Sequence, residues 1–289
     1  MKIHAIYFSP TGGTKKVVTE IAKGFCDGYG SREEMSESRI QVHDFTLPSG
    51  REAIPDIGCG DIAVIGTPVY AGRVPNLLLK YIESLAGNGA LTVPVVTYGN
   101  RNFDDALIEL RDLLVGCNFK PIAAAAFVAQ HSFSNTLGAG RPDYEDLSQA
   151  YDMGRRLCGK LLQTGIGIPY VSAIDAGDIL LVEVPGNSGD SRVYYQPKDN
   201  GGNFIDIRRV KPKTLEKCFD CGHCAEICPM GAISFVDYKS ITGICIKCNA
   251  CIKECKAGAK YFDDEGYLFH KEDLEKRYQS VKKNLIIVP

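Results

Sequence analysis

The sequence predicts an α/β chain in two parts: an open parallel sheet between helices, then a compact unit wrapped around metal. Two observations carry this. Up to residue 164, apolar runs of strand length alternate with segments of helical periodicity. From 215 to 262, cysteines recur at short fixed intervals, and the pattern occurs twice.

The elements follow in order. Lys2 to Ser9, with the core IHAIYF, is rich in strand formers. Val17, Val18, Ile21, Ala22 and Phe25 then recur at helical spacing, predicting a helix over Thr14 to Gly30. Further strands are predicted at Arg39 to Leu47, Asp61 to Thr67, Leu91 to Thr97 and Pro121 to Ala129. Helices are predicted at Asn76 to Leu85, Phe103 to Val115 and Tyr144 to Gln163. Strands this apolar are buried on both faces, so helices must cover both sides of a parallel sheet. Open α/β sheets bind ligands beyond the carboxyl ends of their strands. That rule nominates the loops 9–15, 67–75 and 97–104.

Residues 165–214 form a different segment, in which DILLVEV and SRVYYQP lie between Gly-, Asn- and Asp-rich stretches. They are expected to form a β-rich excursion or linker. Residues 215–262 are the cysteine unit. Residues 263–289 carry an expected helix over Lys271 to Lys282 and an apolar end, LIIVP, expected to pack back onto the protein.

The cysteine unit reads Cys218-Phe-Asp-Cys221-Gly-His-Cys224-Ala-Glu-Ile-Cys228-Pro229, then Cys245-Ile-Lys-Cys248-Asn-Ala-Cys251-Ile-Lys-Glu-Cys255-Lys256. The parallel continues in PMGAISF and KAGAKYF, which marks an internal duplication. Two intervening residues let a chain curl around a cubane so that successive thiolates reach three irons; the fourth cysteine ligates the other cluster. The expected sets are Cys218, Cys221, Cys224 and Cys255 for cluster one, and Cys245, Cys248, Cys251 and Cys228 for cluster two. Zinc sites favour two C-x-x-C pairs far apart, so two 4Fe–4S clusters are the stronger expectation. A unit this small depends on its clusters for stability. Cys26, Cys59, Cys117 and Cys158 are scattered and read as structural.

Composition narrows the function. The formal net charge of -2 gives no bulk attraction to nucleic acid or anionic membranes. The most apolar run, Ile122 to Ala129, is far short of a membrane span. The chain opens in a strand-like run without a secretory pattern, and cysteine-rich chains outside oxidising compartments use thiols for metal. A cytoplasmic protein is expected.

The first loop, Ser9-Pro10-Thr11-Gly12-Gly13-Thr14, leads into a helix. Free N–H groups and the positive end of the helix dipole make such a start an anion site. It matches neither the nucleoside-triphosphate loop G-x-x-x-x-G-K-[ST] nor G-x-G-x-x-G. The other nominated loops are Thr67-Pro68-Val69-Tyr70-Ala71-Gly72-Arg73-Val74-Pro75 and Thr97-Tyr98-Gly99-Asn100-Arg101-Asn102-Phe103-Asp104-Asp105. Both offer aromatic surface and glycine at the ligand edge.

Together these three loops resemble those of a flavodoxin, over residues 1 to about 164. The resemblance implies a flavodoxin-like five-stranded sheet in the order 2-1-3-4-5, with bound FMN. Ser9, Thr11, Gly12, Gly13 and Thr14 would hold the phosphate. Pro68, Val69, Tyr70, Ala71, Gly72 and Arg73 would flank the ring, with Thr97, Tyr98, Gly99, Asn100, Arg101 and Asn102 opposite. Ala71-Gly72 is the expected redox-sensitive turn. Pro10 departs from the flavodoxin pattern, because proline has no N–H to offer a phosphate. The cysteine unit resembles a bacterial-type two-cluster ferredoxin domain over about 48 residues, except for Lys256 where the first repeat has Pro229. In this order the two blocks, with SPTGGTKK, YGNRNFDDAL and the stretch His131 to Asp143, resemble the EFR1-type ferrodoxins. His131 and Arg141 in that stretch read as structural more readily than catalytic.

The expected function is electron transfer among the clusters, FMN and a redox partner protein. An alternative is an FMN-dependent reductase of a small substrate fed by its own ferredoxin domain; a redox sensor is a weaker third. No catalytic acid–base pair or nucleophile stands out, and the sequence does not fix the oligomeric state, a homodimer being one option.

Overall fold

A computed structural model describes residues 1–29, 40–163, 182–187 and 189–288. Strands β1 (Ile3–Tyr7), β2 (Ile40–Asp44), β3 (Ile62–Pro68), β4 (Leu91–Tyr98), β5 (Lys120–Pro121) and β6 (Ala124–Val128) run parallel. The short β5 and the longer β6 both pair with β4 and share the position of the predicted fifth strand. With those two counted as one, the order is 2-1-3-4-5, the flavodoxin-like doubly wound arrangement. β1, β3, β4 and β6 are buried almost throughout, as their apolar runs require.

Helix α1 (Gly13–Gly28) and helix α4 (Tyr144–Gln163) cover one face, burying Val17, Val18, Ile21, Phe25, Met153 and Leu157 against the sheet. Helices α2 (Leu79–Glu83) and α3 (Ala106–Gly116) cover the other. The helix expected over Asn76 to Leu85 splits into a 3-10 turn at Asn76–Leu78 and the short α2. Glycine sets the closeness of α1 and α4. A Cβ on Gly154 would lie 2.1 Å from the Ile21 carbonyl oxygen, and one on Gly24 would lie 1.9 Å from that of Tyr151.

The last part folds back over the carboxyl edge of the sheet. It contains β7 (Lys213–Thr214), α5 (His223–Glu226), α6 (Ala250–Lys253), β8 (Lys260–Tyr261), α7 (Glu265–Arg277) and β9 (Leu285–Ile287). The expected terminal helix starts earlier than its apolar spacing suggested, because the Asp264 carboxylate caps it by accepting from the Tyr267 N–H. It also ends earlier, because the Asn100 side chain holds the following chain extended: Nδ2 donates to the carbonyls of Tyr278 and Ser280, and Oδ1 accepts from the Lys282 N–H. The tail then joins the sheet: β9 pairs antiparallel with β6, Ile287 opposite Ala124 and Leu285 opposite Ala126. Asn284 accepts from the Val128 N–H and donates to Asp146 and Gln149.

The β-rich excursion is not what the described residues form. Much of DILLVEV lies outside them. Residues 182–187 and 189–212 run irregularly, apart from a 3-10 turn at Gly189–Ser191 and an isolated bridge, Lys198 to Phe204. The apolar side chains are spent elsewhere: Val182 and Val184 pack into the first domain's core, so the segment has no face of its own to pair.

Gly154→Ala is expected to destabilise the protein by about 1–3 kcal/mol through overpacking at the helix crossing. Urea unfolding would show a lower midpoint with an unchanged slope.

Candidate functional site

The three nominated loops converge. A small recess at the sheet's carboxyl edge is lined by Ser9, Thr11, Gly13, Thr14, Pro68 and Thr97, among others. The start of α1 is built for an anion. Gly12 takes a left-handed φ of 82° at the N-cap and supplies no side-chain cap. Ser9 Oγ accepts from the Lys15 N–H at 2.9 Å. Among the described residues, no acceptor takes the N–H groups of Thr11, Gly13 or Thr14. A bound anion would supply the acceptors that this turn lacks. Thr14 and Thr97 share a buried hydroxyl bond of 2.7 Å, which fixes one loop to the other.

Beside the recess lies a cavity of about 590 Å³. Val69, Tyr70, Ala71 and Gly72 form one wall; Tyr98, Gly99, Arg101 and Asn102 form another. Tyr70 and Arg73 exchange backbone hydrogen bonds across Ala71 (φ 51°) and Gly72 (φ 79°). Two positive φ values make this a type I′ turn. The Ala71 carbonyl accepts from the Tyr195 N–H at 2.8 Å.

Three nominated side chains are engaged elsewhere. Arg73 makes a paired contact with the buried Glu109, at 2.5 and 2.8 Å. Asn100 clasps the tail, and the Tyr98 hydroxyl donates to the Lys283 carbonyl. These residues leave backbone, not side chain, for a ligand. Arg141 pairs with Asp146, a structural role.

The far walls of the cavity come from segments the loop argument did not nominate: Tyr194 to Pro197, Phe204 to Arg208, Ile246, Lys247, His270 and Leu274. Arg101 lies over the Tyr195 ring at 4.1 Å, and Arg73 over the Tyr194 ring at 4.9 Å. The adjacent tyrosines of SRVYYQP carried the signal, but their run reads equally well as a strand. His131 also lines the cavity. Its Nδ1 accepts from the Phe133 N–H, and desolvation, then the neighbouring His270, Lys253 and Arg101, lowers its pKa to about 3. Desolvation lowers His270 to about 4. Both imidazoles are neutral at neutral pH.

The cysteine unit repeats in backbone as in sequence. Asp220 and Lys247 take φ of 53° and 57°; Gly222 and Asn249 take 77° and 61°; Gly231 and Gly258 take 56° and 57°. Equivalent amides donate to equivalent sulfurs, Ala232 to Cys228 at 3.3 Å and Ala259 to Cys255 at 3.2 Å. The thiols gather in two groups. Burial raises Cys224, which also feels Cys218, Cys221 and Cys255. Burial likewise raises Cys251, which feels Cys248, Cys245 and Cys228. Each group draws its fourth sulfur from the other repeat. Cys255 differs: burial works to raise it, but N–H groups of Ala259, Lys260, Ala257 and Gly258 together hold it below the usual thiol range. Among the described residues, no three His, Cys, Asp or Glu side chains converge on a single ion. A cubane instead takes one thiolate on each of four irons.

Strand order and cysteine spacing together define a flavodoxin-like α/β domain joined to a 4Fe–4S domain of ferredoxin type. The family described as "4Fe-4S binding domain" matches residues 212–234, which hold the first cysteine run. Over 82 residues the chain is 37% identical to a subunit of selenate reductase from Mesobacillus selenatarsenatis. That match takes 25% of this chain and 26% of the relative, so the chain spans about a quarter of the relative's length. Among solved structures, a flavodoxin from the domain Archaea is 16% identical with a TM-score of 0.39, over 56% of this chain and 99% of its own. The flavodoxin of Streptococcus pneumoniae is 19% identical with a TM-score of 0.37, over 55% and 99%. Rubredoxin oxygen:oxidoreductase from Desulfovibrio gigas is 15% identical with a TM-score of 0.39, over 57% and 37%. The fold of the first domain rests on its own strand order, not on these likenesses. No helix among the described residues is long and apolar enough to cross a membrane.

The two neutral histidines have a consequence for acid stability. Their folded pKa values lie below the ordinary 6.5, so the unfolded chain binds more protons from about pH 6.5 down to about 4 for His270 and about 3 for His131. Their contribution is complete above pH 6.5 and is lost as pH falls through that window. Denaturant titrations at stepped pH should show a shallower acid loss for His131→Gln than for the parent.

Proposed function

We propose that the chain is an electron-transfer protein of the ferrodoxin kind, passing electrons among two 4Fe–4S clusters, FMN and a redox partner protein. One observation carries it: a single cavity has the flavin-edge loops on one side and Ile246 and Lys247, from the loop between Cys245 and Cys248, on another. A group seated on the first domain therefore lies against the cysteine unit.

The roles follow from the donor sets. Ser9 and the amides of Thr11, Gly13 and Thr14 hold a phosphate, with Gly12 shaping the turn through its left-handed backbone. The Pro68 to Arg73 turn and the backbone of Thr97 to Asn102 border the ring. Cys218, Cys221, Cys224 and Cys255 hold one cluster; Cys245, Cys248, Cys251 and Cys228 hold the other. FMN, when bound, supplies both one- and two-electron chemistry, whereas a cluster passes one electron. The protein's own part is to orient these groups, line the cavity with Tyr194 and Tyr195, and hold amides against the sulfurs. None of the twelve cysteines is joined in a disulfide, which suits a cytoplasmic setting.

The concave shape of the cavity favours a second reading, an FMN-dependent reductase of a small substrate. Tyr194 to Pro197 and Phe204 to Arg208 form a cover over the loops, where a protein partner would need an open edge.

Protein purified without oxygen is expected to carry about eight irons, eight sulfides and one FMN per chain. Iron without flavin, even after FMN is added, overturns the flavin half of the proposal. Zinc in place of iron overturns the other half. Reoxidation of the reduced protein by a small molecule, with no protein partner, selects the reductase.

A further inference from the structure

The two repeats share a backbone but not an environment. The first repeat turns outward: Cys221, Asp220 and Glu226 are exposed, and Phe219 is 61% exposed. The equivalents in the second repeat are Cys248, Lys247, Lys253 and Ile246, and none of them is exposed. Two of these, Ile246 and Lys247, line the cavity. Lys253 Nζ donates to the carbonyls of His131 and Ser134, at 3.0 and 3.1 Å. Asn249, where the first repeat has Gly222, donates to the Ser132 carbonyl at 2.9 Å. The residues by which the repeats differ are the ones that glue the second repeat to the first domain.

The flavin-edge turn reaches the same place. Tyr70 lines both the recess and the cavity, and its phenol feels the thiols of Cys248 and Cys245. Arg51, from the first domain, donates to the carbonyl of Pro229, next to Cys228. Three of the four sulfurs in that group therefore touch, or adjoin residues that touch, the first domain. Among the described residues, the hydrogen bonds of the Lys247 ammonium go to carbonyls, those of Arg208 and Cys245 at 2.9 and 3.0 Å; Lys247 lines the cavity between Cys245 and Cys248, and Asp206 on the same lining is near it without bonding to it.

We infer that the repeats have divided their work: the cluster on Cys245, Cys248, Cys251 and Cys228 exchanges electrons with the flavin past Tyr70 and Lys247, while the cluster on Cys218, Cys221, Cys224 and Cys255 is the outward port. This rests on the flavin and two-cluster reading above. The accounting is one electron at a time. An electron leaving the inner cluster oxidises that cluster by one and reduces the flavin by one. The outer cluster then replaces it, and a one-electron protein donor restores the outer cluster. Two such passages, with a proton taken up from solvent, complete reduction of the flavin, and the route runs equally well in reverse with the proton returned. Lys247 is a positioning residue in this scheme, since its charge favours electron density on the cavity side.

The test compares equivalent positions in the anaerobic holoprotein, after iron, sulfide and flavin have been counted. Lys247→Met and Lys247→Gln each remove a charge from the inner loop; Asp220→Asn removes one from the outer loop. Potentiometric titration is expected to show a lower flavin midpoint potential in both Lys247 variants. Asp220→Asn should raise one cluster's potential and leave the flavin unmoved. In stopped flow with a one-electron donor, Tyr70→Leu should change the rate at which electrons pass from the reduced clusters to the flavin, whereas Phe219→Leu should change the donor-concentration-dependent rate of cluster reduction and leave that internal step unmoved. A flavin potential that moves in Asp220→Asn, or stays fixed in both Lys247 variants, overturns the division of work. Protein with clusters but no flavin fails at the counting step, which sinks the underlying reading and the inference with it.

Discussion

The arrangement hangs on how the chain returns to the sheet after leaving it. β9 completes the sheet beside β6, and Asn100 and Asn284 tie the preceding segment down through backbone bonds. The cysteine unit is thus attached at its far end as well as through the segment that leads into it. Lys253 and Asn249 add contacts between. With this clasp the unit lies against the carboxyl edge of the strands, where doubly wound sheets hold ligands. Without it the segment from 182 to 214 would be its main tether, and that segment is irregular along most of its length.

The cavity follows from the clasp. Its floor belongs to the first domain, but its cover and one wall do not. Burial there holds His131 and His270 neutral and keeps Arg101 against Tyr195. The half-buried cations Lys247 and Lys253 are satisfied by carbonyl oxygens. Carbonyls solvate such a charge without cancelling it, and Asp206 on the same lining offsets that of Lys247 only from a distance.

Legibility in the sequence tracked how local the cause was. Periodicity and apolar runs revealed the five parallel strands, because burial on both faces leaves a mark at every residue. Cysteine spacing revealed the repeat for the same reason. The loops at the sheet edge were legible by rule, since strand direction alone fixes where a ligand edge lies. The roles of individual side chains were not. Nothing in YGNRN distinguishes an Asn100 that faces a ligand from one that captures a tail 180 residues away. Tyr194 and Tyr195 alternate like strand residues, yet they cover a cavity whose other walls are distant in sequence. The early start of α7 depended on one capping carboxylate, Asp264, just before its apolar spacing begins.

The seventh strand of the sheet also has a protective side. An uncovered β6 would present a fully buried-type strand, AAAFV, with its row of amides and carbonyls open to any other chain. The opposite margin, β2, is guarded differently, by exposed Gln41, Val42 and Asp44. The strand that seals β6 lies downstream of the whole cysteine unit, so it is synthesised after that unit. A chain cut or stalled anywhere in the unit therefore emerges with an adhesive margin, and reading through to β9 is what makes the first domain safe to release.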